Sequence, residues 1–109
     1  MVCAPSLHGE SFGMVVLEGM AAGCSVVASD IDGYRNAAGG QAALVPPGDK
    51  QALARALGVA LADAVEGSGR SAPEARKSAL EHARAWSMEA LAERYVELYE
   101  RAIRDFRAR

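Results

Sequence analysis

Two apolar runs, Val2-Cys3-Ala4 and Ser25-Val26-Val27-Ala28, are separated by residues 5–24, and this spacing constrains the chain more than anything else in it. Neighbouring strands joined by a connection of this length, with a helix inside it, lie parallel and close through a right-handed crossover. The first run is stopped by Pro5 and reads as the end of a buried strand, a truncated element with almost nothing before it. Ser6 to Gly9 form a loop, Ser11 is placed to cap a helix from about Phe12 to Ala22, and Gly23 is placed to end it.

The order continues as an α/β chain. Asp30, Asp32 and Gly33 read as a polar turn, and Ala42-Ala43-Leu44-Val45 as a third strand closed by Pro46-Pro47-Gly48. Asp49 caps a helix whose Leu53, Ala56, Leu57, Ala60, Leu61 and Ala64 recur at the helical period, so that one face packs on the sheet. Gly67-Ser68-Gly69 is a flexible link, and Ser71-Ala72-Pro73-Glu74 has the capping-box spacing that opens a helix to about Ala85. Trp86 is placed to staple onto Leu91 at the start of a last helix, along which Met88, Leu91, Ala92, Tyr95, Leu98, Tyr99, Ala102, Ile103 and Phe106 form one apolar stripe. Three short strands cannot cover that stripe, which points to a docking surface outside this chain.

Half of the residues are apolar and 24% are charged, a globular composition. Twelve Lys and Arg against 14 Asp and Glu give a net charge of −2 with no basic block, which argues against a nucleic-acid partner. Cys3 and Cys24 show no metal-ligand spacing and read as small core residues in a reducing compartment. No signal peptide is apparent and no apolar run reaches the roughly 20 residues needed to span a bilayer, so a cytoplasmic location is expected.

The chemistry concentrates at Glu10-Ser11-Phe12-Gly13 and Glu18. With a helix starting at Phe12, Ser11 to Glu18 spans about 10 Å, on the order of the distance from sugar to ribose across a diphosphate. Between the two carboxylates lie the amides of Phe12, Gly13 and Met14, which with the helix dipole form an anion site suited to a pyrophosphate. Gly13 removes the side chain where the phosphate comes close. A carboxylate accepts paired hydrogen bonds from vicinal hydroxyls, so Glu18 is suited to the ribose and Glu10 to the sugar. The helix terminus then stabilises a departing nucleoside diphosphate. The site residues are therefore Glu10 at the reacting centre and Ser11, Phe12, Gly13, Met14 and Glu18 for the donor; no metal is expected.

In Pro5-Ser6, Gly9-Glu10-Ser11-Phe12-Gly13, Glu18-Gly19-Met20-Ala21-Ala22-Gly23, Val26-Val27-Ala28 and Trp86-Ser87 the chain resembles the second domain of GT4-type retaining glycosyltransferases of the GT-B fold. The stretch from Cys3 to Arg35 is most similar to phosphatidylinositol mannosyltransferases. The resemblance implies a truncated Rossmann-like C-terminal domain, with residues 1–85 as a partial donor-binding domain. It implies that residues 86–109 form a helix docking on a missing N-terminal domain. It also implies GDP-mannose as donor, a lipid inositol acceptor, and a full-length enzyme peripheral to the inner face of a membrane. In the family the first glutamate contacts the donor sugar, the following amides the phosphates and the second glutamate the ribose. Those roles fall on Glu10, on Phe12 with Gly13 and Met14, and on Glu18. The family's upstream Arg and Lys and its acceptor residues have no counterpart here, so this chain alone is expected to be inactive. Gly19 stands where the family more often has Ala, at a cost of up to about 1 kcal/mol that close packing on a strand would offset.

Two rival readings remain at this stage. Gly9-Glu10-Ser11-Phe12-Gly13 also fits G-x-S-x-G, the nucleophile elbow of α/β-hydrolases, with Asp30 or Asp63 and His82 in the right chain order for a serine esterase. A nucleotide-binding module without activity is the other. His8 reads as a solvated loop residue near the site and His82 as a surface residue; Asp30 and Asp32 point to the ligand edge of the sheet, although an Asp-Gly turn explains them.

Overall fold

The computed structural model of the chain describes residues 1–10 and 12–109. Its sheet has three parallel strands in the order β1-β2-β3: β1 (Val2–Ala4), β2 (Val26–Ser29) and β3 (Ala43–Val45). Cys3 stands beside Val27, and Ala28 beside Leu44. All four residues of the central strand β2 are buried, as expected for a strand covered on both faces.

The alternation along β2 assigns the layers. Val26 and Ala28 face a core with Ala4, Val16, Met20, Tyr34, Ala38, Ala42, Ala79 and Ala83, so α1 (Met14–Ala21), α2 (Asp32–Ala38) and α4 (Pro73–Ala85) share that side. Val27 and Val45 face Ala60, with Leu53, Ala56 and Leu57 of α3 (Lys50–Glu66) packed around them. Helices therefore cover both faces of a parallel sheet, the expected α/β architecture. Cys3, by contrast, is exposed and Cys24 only half-buried, so neither is the core residue expected. The reason for Cys3 is that α3 packs on β2 and β3 and not on β1.

Helix α1 starts at Met14, two residues later than the apolar pattern predicts, because its N-cap is Gly13 in the left-handed region at φ 67°. Ser11, the expected cap, lies outside the described residues. Gly13 serves a different purpose from the one read in the sequence: a Cβ there would lie 2.6 Å from both Ala37 Cβ and the Gly33 carbonyl oxygen, so its bareness permits contact with α2. Gly19 behaves as anticipated, since a Cβ would stand 3.0 Å from Val26 Cγ2 and 3.2 Å from Val2, which lets α1 settle onto β1 and β2.

The expected polar turn at Asp30, Asp32 and Gly33 is instead helix α2, entered through Ile31 without a side-chain cap and closed by the left-handed Gly39. Asp49 does cap α3, its Oδ1 accepting from the Ala52 amide at 2.9 Å, and Gly67 ends the helix in the left-handed region. Asp49→Ala is therefore expected to lower stability by about 1 kcal/mol, read as a shift in the urea midpoint at unchanged m-value. The capping box at Ser71 does not form. Ser71 belongs to a 3-10 turn (Gly69–Ser71), Ala72 is the N-cap of α4 with Pro73 in its first turn, and the Ser71 hydroxyl is buried without a partner among the described residues.

His82 is not the surface residue expected. Its Nε2 lies 2.6 Å from the Ala37 carbonyl oxygen, and its ring fills the space that Gly39 leaves open. The Trp86 ring lies 6.2 Å from that of His82, and the Arg94 guanidinium sits 5.8 Å from the Trp86 centroid, so this indole joins α4 to the last helix. Ser87 caps α5 (Met88–Arg107) by accepting from the Ala90 amide at 3.1 Å. No residue of α5 is buried, and Met88, Tyr95, Leu98, Tyr99, Ile103 and Phe106 of the stripe are exposed as anticipated. The molecule is accordingly elongated, 58 × 30 × 15 Å. Among the described residues no helix is long and apolar enough to cross a membrane.

Candidate functional site

The loop from Pro5 to Glu10 leaves the carboxyl end of β1, where parallel sheets place their ligands. The Ser6 hydroxyl and the buried Tyr34 hydroxyl lie 2.8 Å apart, tying the loop to α2. Gly33 completes the contact, since a Cβ there would lie within bonding-clash range of the Glu10 carbonyl oxygen and 3.1 Å from Glu10 Cγ. Two glycines, Gly13 and Gly33, thus set the height of Glu10 above α2.

Glu10 turns back on its own chain. Its Oε1 accepts from the Gly13 amide at 2.9 Å and from the Phe12 amide at 3.3 Å. The amide set read from the sequence is therefore corrected: Phe12 and Gly13 are engaged by protein, and only Met14 of the three is not. Met14 and Val15 occupy the first turn of α1, where no intrahelical acceptor exists, and among the described residues their amides have no partner. The first turn of the helix lies further along the chain than expected, because Gly13 delays the helix and the Glu10 carboxylate takes the amides before it. Phe12 itself is exposed.

The cleft containing Glu10 holds about 340 Å³ and is lined by His8, Gly9, Glu10, Asp30, Ile31, Asp32 and Arg35. His8 is exposed on its rim, a loop residue near the site as expected. Arg35, one turn into α2, bonds through Nε to Asp30 Oδ1 at 2.6 Å and through Nη1 to Asp32 Oδ1 at 2.8 Å. The hydrogen bond that it donates to Asp30, then that to Asp32, raises the guanidinium pKa above its ordinary value, so Arg35 is a permanent cation here. Asp30 and Asp32 thus form an ion-pair group with Arg35 at the entry to α2. Sequence reading overlooked Arg35, Ser6 and Tyr34; the signal was the i,i+3 spacing of Asp32 and Arg35, visible only once a helix is assigned there.

Glu18 is exposed on α1, four residues after Met14, so about 6 Å of helix rise separates it from the helix start rather than the longer span read earlier. It lines a different, mainly apolar groove with Met14, Leu17, Ala21, Trp86 and Met88. Glu10 and Glu18 therefore line two different clefts, which have no lining residue in common among the described residues.

The esterase alternative finds no support. The helix begins at Met14, ten residues beyond the end of β1 at Ala4, where an elbow requires an immediate strand-to-helix reversal. His82, its proposed base, already spends Nε2 on the Ala37 carbonyl.

Comparison with known proteins agrees with this geometry. The profile of the family described as glycosyl transferases group 1 matches residues 1–63. A phosphatidyl-myo-inositol mannosyltransferase of Mycobacterium leprae is 56% identical over 57 residues, covering 50% of this chain and 15% of that protein. A D-inositol 3-phosphate glycosyltransferase of Salinispora tropica is 38% identical over 111 residues, covering 100% of this chain and 22% of that protein. Among solved structures, sucrose-phosphate synthase from Thermosynechococcus elongatus superposes with a TM-score of 0.77 at 33% identity, over 95% of this chain and 26% of that one. The chain spans less than a quarter of the length of these two curated relatives. With parallel strands and flanking helices that agree with these matches, the chain belongs to the glycosyl transferases group 1 family and has the GT-B type of fold.

Proposed function

We infer that this chain is the donor-binding portion of a retaining glycosyltransferase that moves mannose from GDP-mannose to an inositol-based lipid or small-molecule acceptor. The observation that supports the reading is the first turn of α1, where the amides of Met14 and Val15 have no partner among the described residues and lie in the chain between Glu10 and Glu18. The diphosphate sits on those amides and on the positive end of α1, where the charge that develops on the leaving group is stabilised without a metal ion. Glu18 holds the ribose hydroxyls. Glu10, one oxygen fixed by the Phe12 and Gly13 amides, offers its other oxygen to a sugar hydroxyl and so orients the ring; it is an orienting carboxylate rather than a covalent nucleophile. Ser11 belongs to the same donor-contacting stretch.

Mannose and the inositol acceptor rest on the names of the two relatives, both of which contain an inositol group and one of which contains mannose. Residues 1–85 supply the donor half. The exposed stripe of α5, in residues 86–109, docks on a preceding domain that brings the acceptor, at a membrane surface when the acceptor is a lipid. Binding rather than turnover is therefore the readout for this chain. GDP is expected to bind in isothermal titration, and Glu18→Ala to weaken it at least about tenfold, the loss of charge-assisted hydrogen bonds to the ribose. If GDP gives no heat, or binds the variant as it binds the parent, the reading fails.

A further inference from the structure

In the cleft above α2, two carboxylates are each immobilised through a single oxygen. Oε1 of Glu10 is held by the Phe12 and Gly13 amides, and Oδ1 of Asp30 by Arg35 Nε. Arg35 also donates through Nη2 to the Asp30 carbonyl at 3.2 Å, and the Asp30 amide donates to the Val45 carbonyl at 2.7 Å, so Asp30 is held once by the sheet edge and twice by Arg35 of α2. Among the described residues Oε2 of Glu10 and Oδ2 of Asp30 accept no protein hydrogen bond, and both residues line the one cleft. Acceptors fixed in this way lose little freedom when a ligand arrives, which is the condition for selective recognition.

The charge balance then decides what the ligand is. Among the described residues that line it, Glu10, Asp30 and Asp32 carry three negative charges and Arg35 one positive charge, so the cleft is net negative by two and Arg35 is paired with both aspartates. Such a cleft repels phosphate and carboxylate groups and favours a ring of hydroxyl donors. We propose that Asp30, positioned by Arg35, is a second hydroxyl acceptor for the donor sugar and confines this site to uncharged sugar rings. The inference deepens the donor-site reading above and rests on it: Glu10 supplies one acceptor, Asp30 the other, and Arg35 acts through Asp30 as a positioning residue.

Titration of the chain with GDP, GDP-mannose and GDP-mannuronic acid tests it. Asp30→Asn, which preserves shape, is expected to weaken GDP-mannose about tenfold, the loss of a hydrogen bond to a charged acceptor, while GDP binding stays within about twofold. Arg35→Gln is expected to weaken GDP-mannose selectively in the same direction. The parent should bind GDP-mannuronic acid more weakly than GDP-mannose, and Asp30→Asn should narrow that gap, a response that a purely structural role for Asp30 would not produce. Circular-dichroism melts confirm that each variant is folded. Equal losses for GDP and GDP-mannose, no loss for either, or an unchanged preference against the acidic sugar would each overturn the proposal while leaving the donor reading standing on its own GDP response. Absence of GDP binding to the parent chain would remove both.

Discussion

Replacing Gly13 with alanine is expected to lower the stability of this chain by about 2–5 kcal/mol, measured by urea denaturation. Two costs add. A residue with a Cβ in the left-handed region loses about 1–2 kcal/mol, and forcing a methyl group into a filled contact costs typically about 1–3 kcal/mol. Here that methyl would meet Ala37 Cβ and the Gly33 carbonyl oxygen at 2.6 Å, and the second of these is backbone that yields only if α2 moves. Because α2 carries Arg35 and its Gly33 abuts the Glu10 carbonyl, the same displacement is expected to weaken GDP-mannose binding in whatever fraction remains folded. A midpoint within experimental error of the parent would show that the two helices do not meet as described.

Met20→Ala is expected to cost about 2–5 kcal/mol, but by another route and with another consequence for binding. Met20, on the buried face of α1, is 1% exposed, is among the largest fully buried side chains and shares a core with Val26 and Ala28 of β2 and Ala79 and Ala83 of α4. Alanines make up much of the rest of that core, so few large side chains are available to collapse into the space. Single small domains have only about 5–15 kcal/mol of total stability, and the loss is a large share of it. Met20 lines neither the Glu10 cleft nor the Glu18 groove, so at low temperature, where the variant is folded, its GDP affinity should match that of the parent. Comparing the two variants separates support of the fold from support of the site.

The parts of the architecture that could be read from the sequence are those whose signal is periodic or local. The three strands emerged from short apolar runs between loop residues, and α3 from a helical stripe with Asp49 at its head, because burial on one or both faces leaves a pattern that any window reveals. Helix α2 was hidden. It has seven residues, too few for a period, and its Asp32-Gly33 start is the usual mark of a chain reversal; Gly33 is there instead because the Glu10 backbone presses against it, a contact from elsewhere in the chain. Ser71 misled for the opposite reason, since its capping-box spacing is correct while Pro73 and Ala72 set the true helix start. At the site, the glutamate pair and the helix terminus were legible, whereas the diversion of the Phe12 and Gly13 amides to Glu10 was not. Residue types declare which groups can pair but not which partner arrives first.

One consequence of the three-stranded sheet concerns more than this single molecule. Val2 to Ala4 are hydrogen-bonded to β2 alone, so the outward row of amides and carbonyls along that strand is left open. Such a margin is a rail on which another extended segment can run, and repeated from copy to copy it has no symmetry that brings growth to a stop. Whatever lies alongside β1 in a longer polypeptide therefore protects against ribbon-like accretion as well as completing a fold.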